Sequence, residues 1–255
     1  MTAIETERVG RVGIIRFNRP EARNAVNNDI ATGVEAALDE WEDDPEIQAV
    51  IVTGNGPNFC AGADLKLVAT GRGGEMATRK GGFAGLTTRD YPKPIIAAIH
   101  GAALAGGFEI MLSCDLVVAA DDTKFGIPEV KRGLFAAAGG LIRLPKRIPI
   151  AVATEMAITG DPISADHALQ LGLVNRTVPA DQVVDAALEL AAAIAKNGPL
   201  AIKNSLKMVR EAQDLTEEEG WKRNGELMME VFASKDAIEG ATAFAEKREP
   251  NWTGT

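Results

Sequence analysis

Two stretches of small residues, each placed where an apolar strand runs into a helix, hold the clearest chemistry in this chain. The first is Leu104-Ala105-Gly106-Gly107-Phe108-Glu109, which follows the isoleucine-rich run Pro94–Ile99 and its terminator Gly101. Glycine at a helix start lets another molecule approach the backbone closely, because no Cβ stands in the way. The first N–H groups of a helix lack internal partners and sit at the positive end of its dipole. Such a site suits a phosphate, a carboxylate or a developing oxyanion. Glu109 falls within the first turn of that helix, beside the same amides. Standing alone, a glutamate there is only a favourable first-turn charge. The second stretch, Phe59-Cys60-Ala61-Gly62-Ala63-Asp64-Leu65, repeats the design of strand, turn, small residues and helix start.

Other chemistries find less support. A nucleophilic Cys60 wants a basic partner, and His100 and His167 are the only histidines. Cys60 reads as a small buried filler, Cys114 as core, His100 as a strand-end residue and His167 as exposed. No cluster has metal-ligand spacing, so no structural metal is expected. The glycine-rich residues 71–85 lack the Gly-Lys-Ser/Thr ending of a phosphate loop and read as a lid or plain surface loop. The formal net charge of −9 argues against nucleic acid as a partner. No apolar run reaches membrane-spanning length. The first residues carry neither a basic nor an apolar leader segment, so a cytoplasmic protein with reduced thiols is expected.

The elements that must position these residues follow from periodicity. Strands are expected at 4–8 and 12–17 around Gly10-Arg11, at Ala49–Val52 and at Leu116–Ala120. A helix should run from Asn28 to Trp41 with Val34, Ala37, Leu38 and Trp41 on one face, stopped by Asp43-Asp44-Pro45. Residues 133–140 form a small-residue loop ahead of a helix near Leu141. Further helices are expected at 150–159, 164–171 and 181–196, with a strand Leu173–Val178 between the last two. From about residue 198 the strands stop. Leu200–Ala212 is a helix, Thr216 with Glu219 is a capping box opening another to Phe232, and Asp236–Ala245 is a third. With 46% apolar and 25% charged residues the chain has the profile of a soluble globular protein with a real core, and its strands and helices make the expected class α/β. It divides into a core over 1–197 and a helical tail over 198–255.

Taken together, Ala61-Gly62-Ala63-Asp64, Gly106-Gly107-Phe108-Glu109, Phe125-Gly126-Ile127-Pro128-Glu129 and Ala138-Gly139-Gly140 resemble the enoyl-CoA hydratase (crotonase) superfamily in order and spacing. The resemblance covers essentially the whole chain. It implies the crotonase, or ClpP-like, spiral of ββα units, closed by C-terminal helices that build trimers, often paired into hexamers. It also implies that Glu109 and Glu129 are the catalytic pair. The N–H groups of Ala61 and Gly106 would form an oxyanion hole for a thioester carbonyl. Hydration of an α,β-unsaturated thioester needs one group to take a proton from water and one to deliver a proton to C2. Two carboxyls with pKa values pushed apart can share that work.

By the same resemblance, Arg23, Ala25, Ala61, Gly62, Ala63, Asp64, Gly106 and Ala137 contact substrate or CoA. Phe244 and Lys247 reach the CoA of a neighbouring subunit. The expected partner is an acyl-CoA thioester, with CoA part of the substrate and no separate cofactor. Gly81–Thr87, Gly107-Phe108-Glu109 and the segment Asp236–Trp252 resemble carnitinyl-CoA dehydratases within the superfamily. For a quaternary ammonium, Phe83, Phe108, Phe135 and Trp221 are the aromatic candidates. The chain departs from the family pattern at Ala136-Ala137, where hydratases commonly carry Pro-Gly. Alanine there cannot easily take a positive φ. Isomerisation, thioester hydrolysis and CoA-thioester binding without turnover stay open as alternatives to hydration.

Overall fold

In the computed structural model, which describes residues 2–255, the central feature is a six-stranded sheet. Its strands are β1 (Ile4–Val9), β2 (Val12–Phe17), β3 (Ala49–Gly54), β6 (Ile95–Ile99), β8 (Leu116–Ala120) and β11 (Arg176–Val178), in that spatial order. The β1–β2 hairpin is antiparallel, and every later pairing is parallel. Parallel strands covered on both faces read as continuous apolar runs, which is why Ala49–Val52 and Ile95–Ile99 stand out in the sequence. Ile15, Phe17, Val50, Val52, Ala97 and Ile99 face the larger core, which includes α1 (Asn28–Glu42) and α3 (Gly106–Ser113). The alternate residues Ile14, Ile51, Ile96, Ala98 and Val118 face a smaller core closed by Val183, Ala187 and Ala191 of α7 (Val183–Ala195).

A second layer makes a three-stranded sheet of β7 (Ala102–Leu104), β9 (Lys124–Gly126) and β10 (Ile163–Ser164). Cys60 joins its far side through a parallel bridge to Ala103. One unit therefore recurs three times: a main-sheet strand, a short second-layer segment, then a helical turn. β3 leads through Cys60 to α2 (Leu65–Ala69), β6 through β7 to α3, and β8 through β9 to the 3₁₀ turn Pro128–Arg132. Asp64, Gly106 with Glu109, and Glu129 all fall at these helix starts.

Two expectations are corrected. The strand expected over Leu173–Val178 is confined to Arg176–Val178. Leu173 and Val174 instead donate their amides to Ala168, closing the end of α6 (Ala165–Gln170). The glycine-rich residues are not a plain surface loop. They contain the hairpin of β4 (Ala77–Thr78) and β5 (Gly82–Phe83), held to α1 where Glu35 accepts from Thr78 Oγ1 at 2.5 Å and from the Gly81 amide at 2.8 Å.

Beyond Val178 no strand occurs among the described residues. After α4 (Gly140–Arg147) and α5 (Ile150–Thr159), the chain ends in α8 (Pro199–Glu211), α9 (Glu217–Phe232) and α10 (Lys235–Glu246). The Thr216–Glu219 capping box opens α9 as its spacing predicts. Trp221, Met229, Phe232, Ile238 and Phe244 are exposed on α9 and α10. Among the described residues, no helix is long and apolar enough to cross a membrane.

Candidate active site

The helix starts open onto one cleft of about 1620 Å³, lined among others by Ala63, Gly106, Glu109, Glu129 and Ala137. Two of its walls are backbone. A Cβ on Gly62 (φ +97°) would fall 2.8 Å from the Gly106 nitrogen and 2.7 Å from Ala105 Cβ, so only glycine permits the two loops to meet. The Ala61 amide is not free for an oxyanion: it donates to the Arg23 carbonyl at 3.0 Å. Its neighbours Gly62 and Asp64 are also engaged, with Cys60 Sγ and the Val26 carbonyl. Ala63 and Gly106 carry amides with no acceptor among the described residues. On this loop the open amide is that of Ala63, two residues past the Ala61 amide that the family resemblance pointed to. Hydrogen-bond pairing across the loop, which links Val26 to both Gly62 and Asp64, turns the Ala63 amide the other way.

The two carboxylates occupy different environments. Glu109 is almost fully buried, and its Oε1 accepts from the Ala138 amide at 2.7 Å and the Gly140 amide at 2.8 Å, at the start of α4. Burial raises its pKa, against the pull of those two amides and of Arg143. Glu129 lies in the first turn after Pro128, and its Oε2 is buried without a donor. Burial, with the charge of Glu109 adding to it, pushes Glu129 up to about 7. Glu109 is the better-held anion and Glu129 the better-held acid. That division suits paired general base and general acid work.

Several expected contacts turn out to be internal supports. Asp64 caps α2: one oxygen accepts from the Lys66 amide at 3.1 Å and the other takes the Arg19 guanidinium at 3.2 Å. Arg19 also donates to the Ala25 carbonyl at 2.6 Å. The Ala25 amide donates to Ala22, and the Arg23 amide to Pro20. Arg23 and Ala25 thus line the cleft with their backbone groups already bonded. Cys60 is more than filler. Its thiol donates to the Asn24 carbonyl and accepts from Gly62, while burial pushes its pKa up to about 12, far from a nucleophile's range. His100 holds the Gly56 carbonyl at 2.8 Å, and His167 is exposed.

Ala137 lines the cleft without a positive φ. Gly133 (φ +64°) and Gly139 (φ +106°) make the turns on either side, so the loop holds no strained alanine. Of the aromatic candidates, Phe83 and Phe135 line the cleft. Phe108 is core against Phe125, and Trp221 lies exposed on α9. Phe244 and Lys247 lie outside this chain's own cleft, Phe244 fully exposed and Lys247 at the left-handed end of α10. Sequence reasoning missed Arg143, which donates to the Ala138 carbonyl at 3.2 Å and the Thr87 carbonyl at 2.5 Å. The signal was its place one helical turn past Gly139-Gly140, which faces it to the loop that holds Glu109.

The family model described as enoyl-CoA hydratase/isomerase matches residues 7–255. A carnitinyl-CoA dehydratase of Proteus mirabilis is 42% identical over 251 residues, 96% of each chain. Among solved structures, an enoyl-CoA hydratase from Mycobacterium tuberculosis H37Rv is 45% identical with a TM-score of 0.96, each chain fully covered. A carnitinyl-CoA hydratase from Mycobacterium avium is 43% identical with a TM-score of 0.77, again over the whole of both chains.

Proposed function

The chain belongs to the enoyl-CoA hydratase/isomerase family, and from that premise we propose that it adds water reversibly across the C2=C3 bond of a 2-enoyl-CoA thioester. The observation that carries this reading is the unlike pair of glutamates in one cleft, beside two unengaged amides. Glu109 takes a proton from water as the oxygen attacks C3. Electron density moves onto the thioester oxygen, held by the amides of Ala63 and Gly106, and Glu129 returns a proton to C2. Each oxyanion donor of this kind supports roughly 10²–10³ in rate. Protons balance and no electrons are exchanged, so the chemistry draws on no redox cofactor, and CoA enters as part of the substrate.

Dehydration of a carnitinyl-type thioester is the same step run backwards on another acyl group, and the relatives so named support it. The exposed apolar residues of α9 and α10 support a trimer or hexamer built through residues 198–255, with Phe244 and Lys247 reaching a neighbouring subunit's CoA. The free, buried Cys60 and Cys114 fit a cytoplasmic enzyme.

The test is loss of enoyl-thioester absorbance in ¹⁸O-labelled water. Glu109→Gln and Glu129→Gln should each lower turnover by roughly 10²–10⁴ while thioester binding persists. A near-normal rate removes that residue from the mechanism. Label that enters a carboxylate product rather than C3 identifies a hydrolase, and double-bond migration without label an isomerase.

A further inference from the structure

One aromatic wall of the cleft has its place fixed by the backbone on both sides. Phe83 ends β5, and a Cβ built on Gly106 would lie 2.6 Å from its Cε1 and Cζ atoms. The ring therefore rests on the α-carbon of the residue whose amide faces the thioester oxygen. The hairpin that carries it is firmly anchored. Glu35 holds Thr78 and Gly81, Ala84 donates to Met76 at 2.9 Å, and Leu86 and Thr87 both donate to the Phe83 carbonyl at 3.2 Å. Gly85 presses so close to α1 that a Cβ there would lie 2.2 Å from the Ala31 carbonyl oxygen.

The same segment is tied across the cleft. Arg143 bridges the Thr87 carbonyl to the Ala138 carbonyl, and the Ala138 amide holds Glu109. Phe83 thus flanks the space between the oxyanion amides and the loop that fixes the base. In the hydration reading, C2 and C3 of the acyl group must lie there. We propose that Phe83 is a specificity-determining residue: its ring excludes a branch at C2 and an aryl group at C3, and selects unbranched aliphatic 2-enoyl thioesters over α-methyl and aryl ones. This rests on the cleft being the hydratase site argued above. A rigid wall discriminates by steric exclusion, and one methylene in an apolar pocket is worth about 10–200-fold in kcat/KM.

The experiment compares Phe83→Leu and Phe83→Ala with the parent on crotonyl-CoA, 2-methylcrotonyl-CoA and cinnamoyl-CoA. The kcat/KM of each bulky substrate relative to crotonyl-CoA should rise in the order Phe, Leu, Ala, by about tenfold or more at alanine. A general loss of packing lowers all three rates and leaves these ratios unmoved, and unmoved ratios overturn the proposal. Calorimetric affinities for the saturated butyryl, 2-methylbutyryl and phenylpropionyl thioesters test the wall without turnover, and there too the bulky ligands must gain on the variants. If the parent hydrates neither this panel nor crotonobetainyl-CoA, the hydratase reading fails, while the binding ratios still decide for or against the wall.

Discussion

Replacing Glu129 by glutamine should stabilise the protein at alkaline pH while it abolishes efficient turnover. Glu129 is pushed from its ordinary value of 4.5 up to about 7, chiefly by burial. At about 1.36 kcal/mol per unit, that difference sets a ceiling of about 3 kcal/mol on the cost of holding its charge in the fold. The side chain is only half-buried, and solvent screening lowers the figure to about 1–2 kcal/mol. The sign follows from proton linkage. Below about pH 4.5 both folded and unfolded chains carry the proton, and there is no cost. Between 4.5 and 7 the unfolded chain has lost its proton and the folded one has kept it, so stability falls as pH rises. Above about 7 the full cost is present. Glutamine never ionises, so its advantage should be absent near pH 4, grow across that window and level off by pH 8. For a chain of this length, 1 kcal/mol moves Tm by about 2–4 °C. Thermal unfolding of both proteins from pH 4 to 9 measures the difference. A gap that does not change with pH, or a glutamine variant less stable at pH 8, refutes the account of Glu129.

Two further outcomes are expected. Ala105 holds φ 52° and ψ −129°, outside the left-handed helical well that Arg23 occupies at 53° and 36°, and strain of this kind costs about 1–3 kcal/mol. Ala105→Gly should therefore raise Tm by a few degrees, and a lowered Tm would show that the alanine is unstrained. Sedimentation at micromolar concentration should give a trimer or hexamer through the helical tail, and a clean monomer would remove the trans role of Phe244 and Lys247.

What the sequence made legible is what local periodicity and capping control. The helix at 28–42, the buried strands at 49–54 and 95–99, and the Thr216 capping box all appear where spacing places them. The short second-layer strands β7, β9 and β10 stayed hidden, because two or three residues carry no period and pair only with distant partners. Tertiary pairing also decided the fate of residues 71–85. Six glycines suggest freedom, yet Glu35, contributed from α1, turns the stretch into a hairpin. Glu109 and Glu129 stand out as candidates from their motifs and both line the cleft, whereas their unlike surroundings come from Ala138, Gly140 and the orphaned Oε2, which no motif encodes. The choice between Ala61 and Ala63 rests on which amide already has an acceptor, and that acceptor, Arg23, lies in another segment of the chain.

The grip of two amides on Oε1 of Glu109 has a consequence for handedness. A carboxylate free to spin would trade its two oxygens, and a proton collected by one could be handed on by the other. Glu109 cannot spin without giving up both peptide hydrogens, so only Oε2 remains basic towards substrate. In the proposed hydration, water would then reach C3 from the side that this oxygen faces. In the same reading Glu129, carried on the turn after Pro128, would serve C2. In heavy water, repeated addition and elimination would mark one face of the acyl chain and leave the other unlabelled. In the proposed reaction, two peptide groups in the loop before α4 would thus help to set which face of the acyl chain meets water, by orienting the carboxylate that draws its proton.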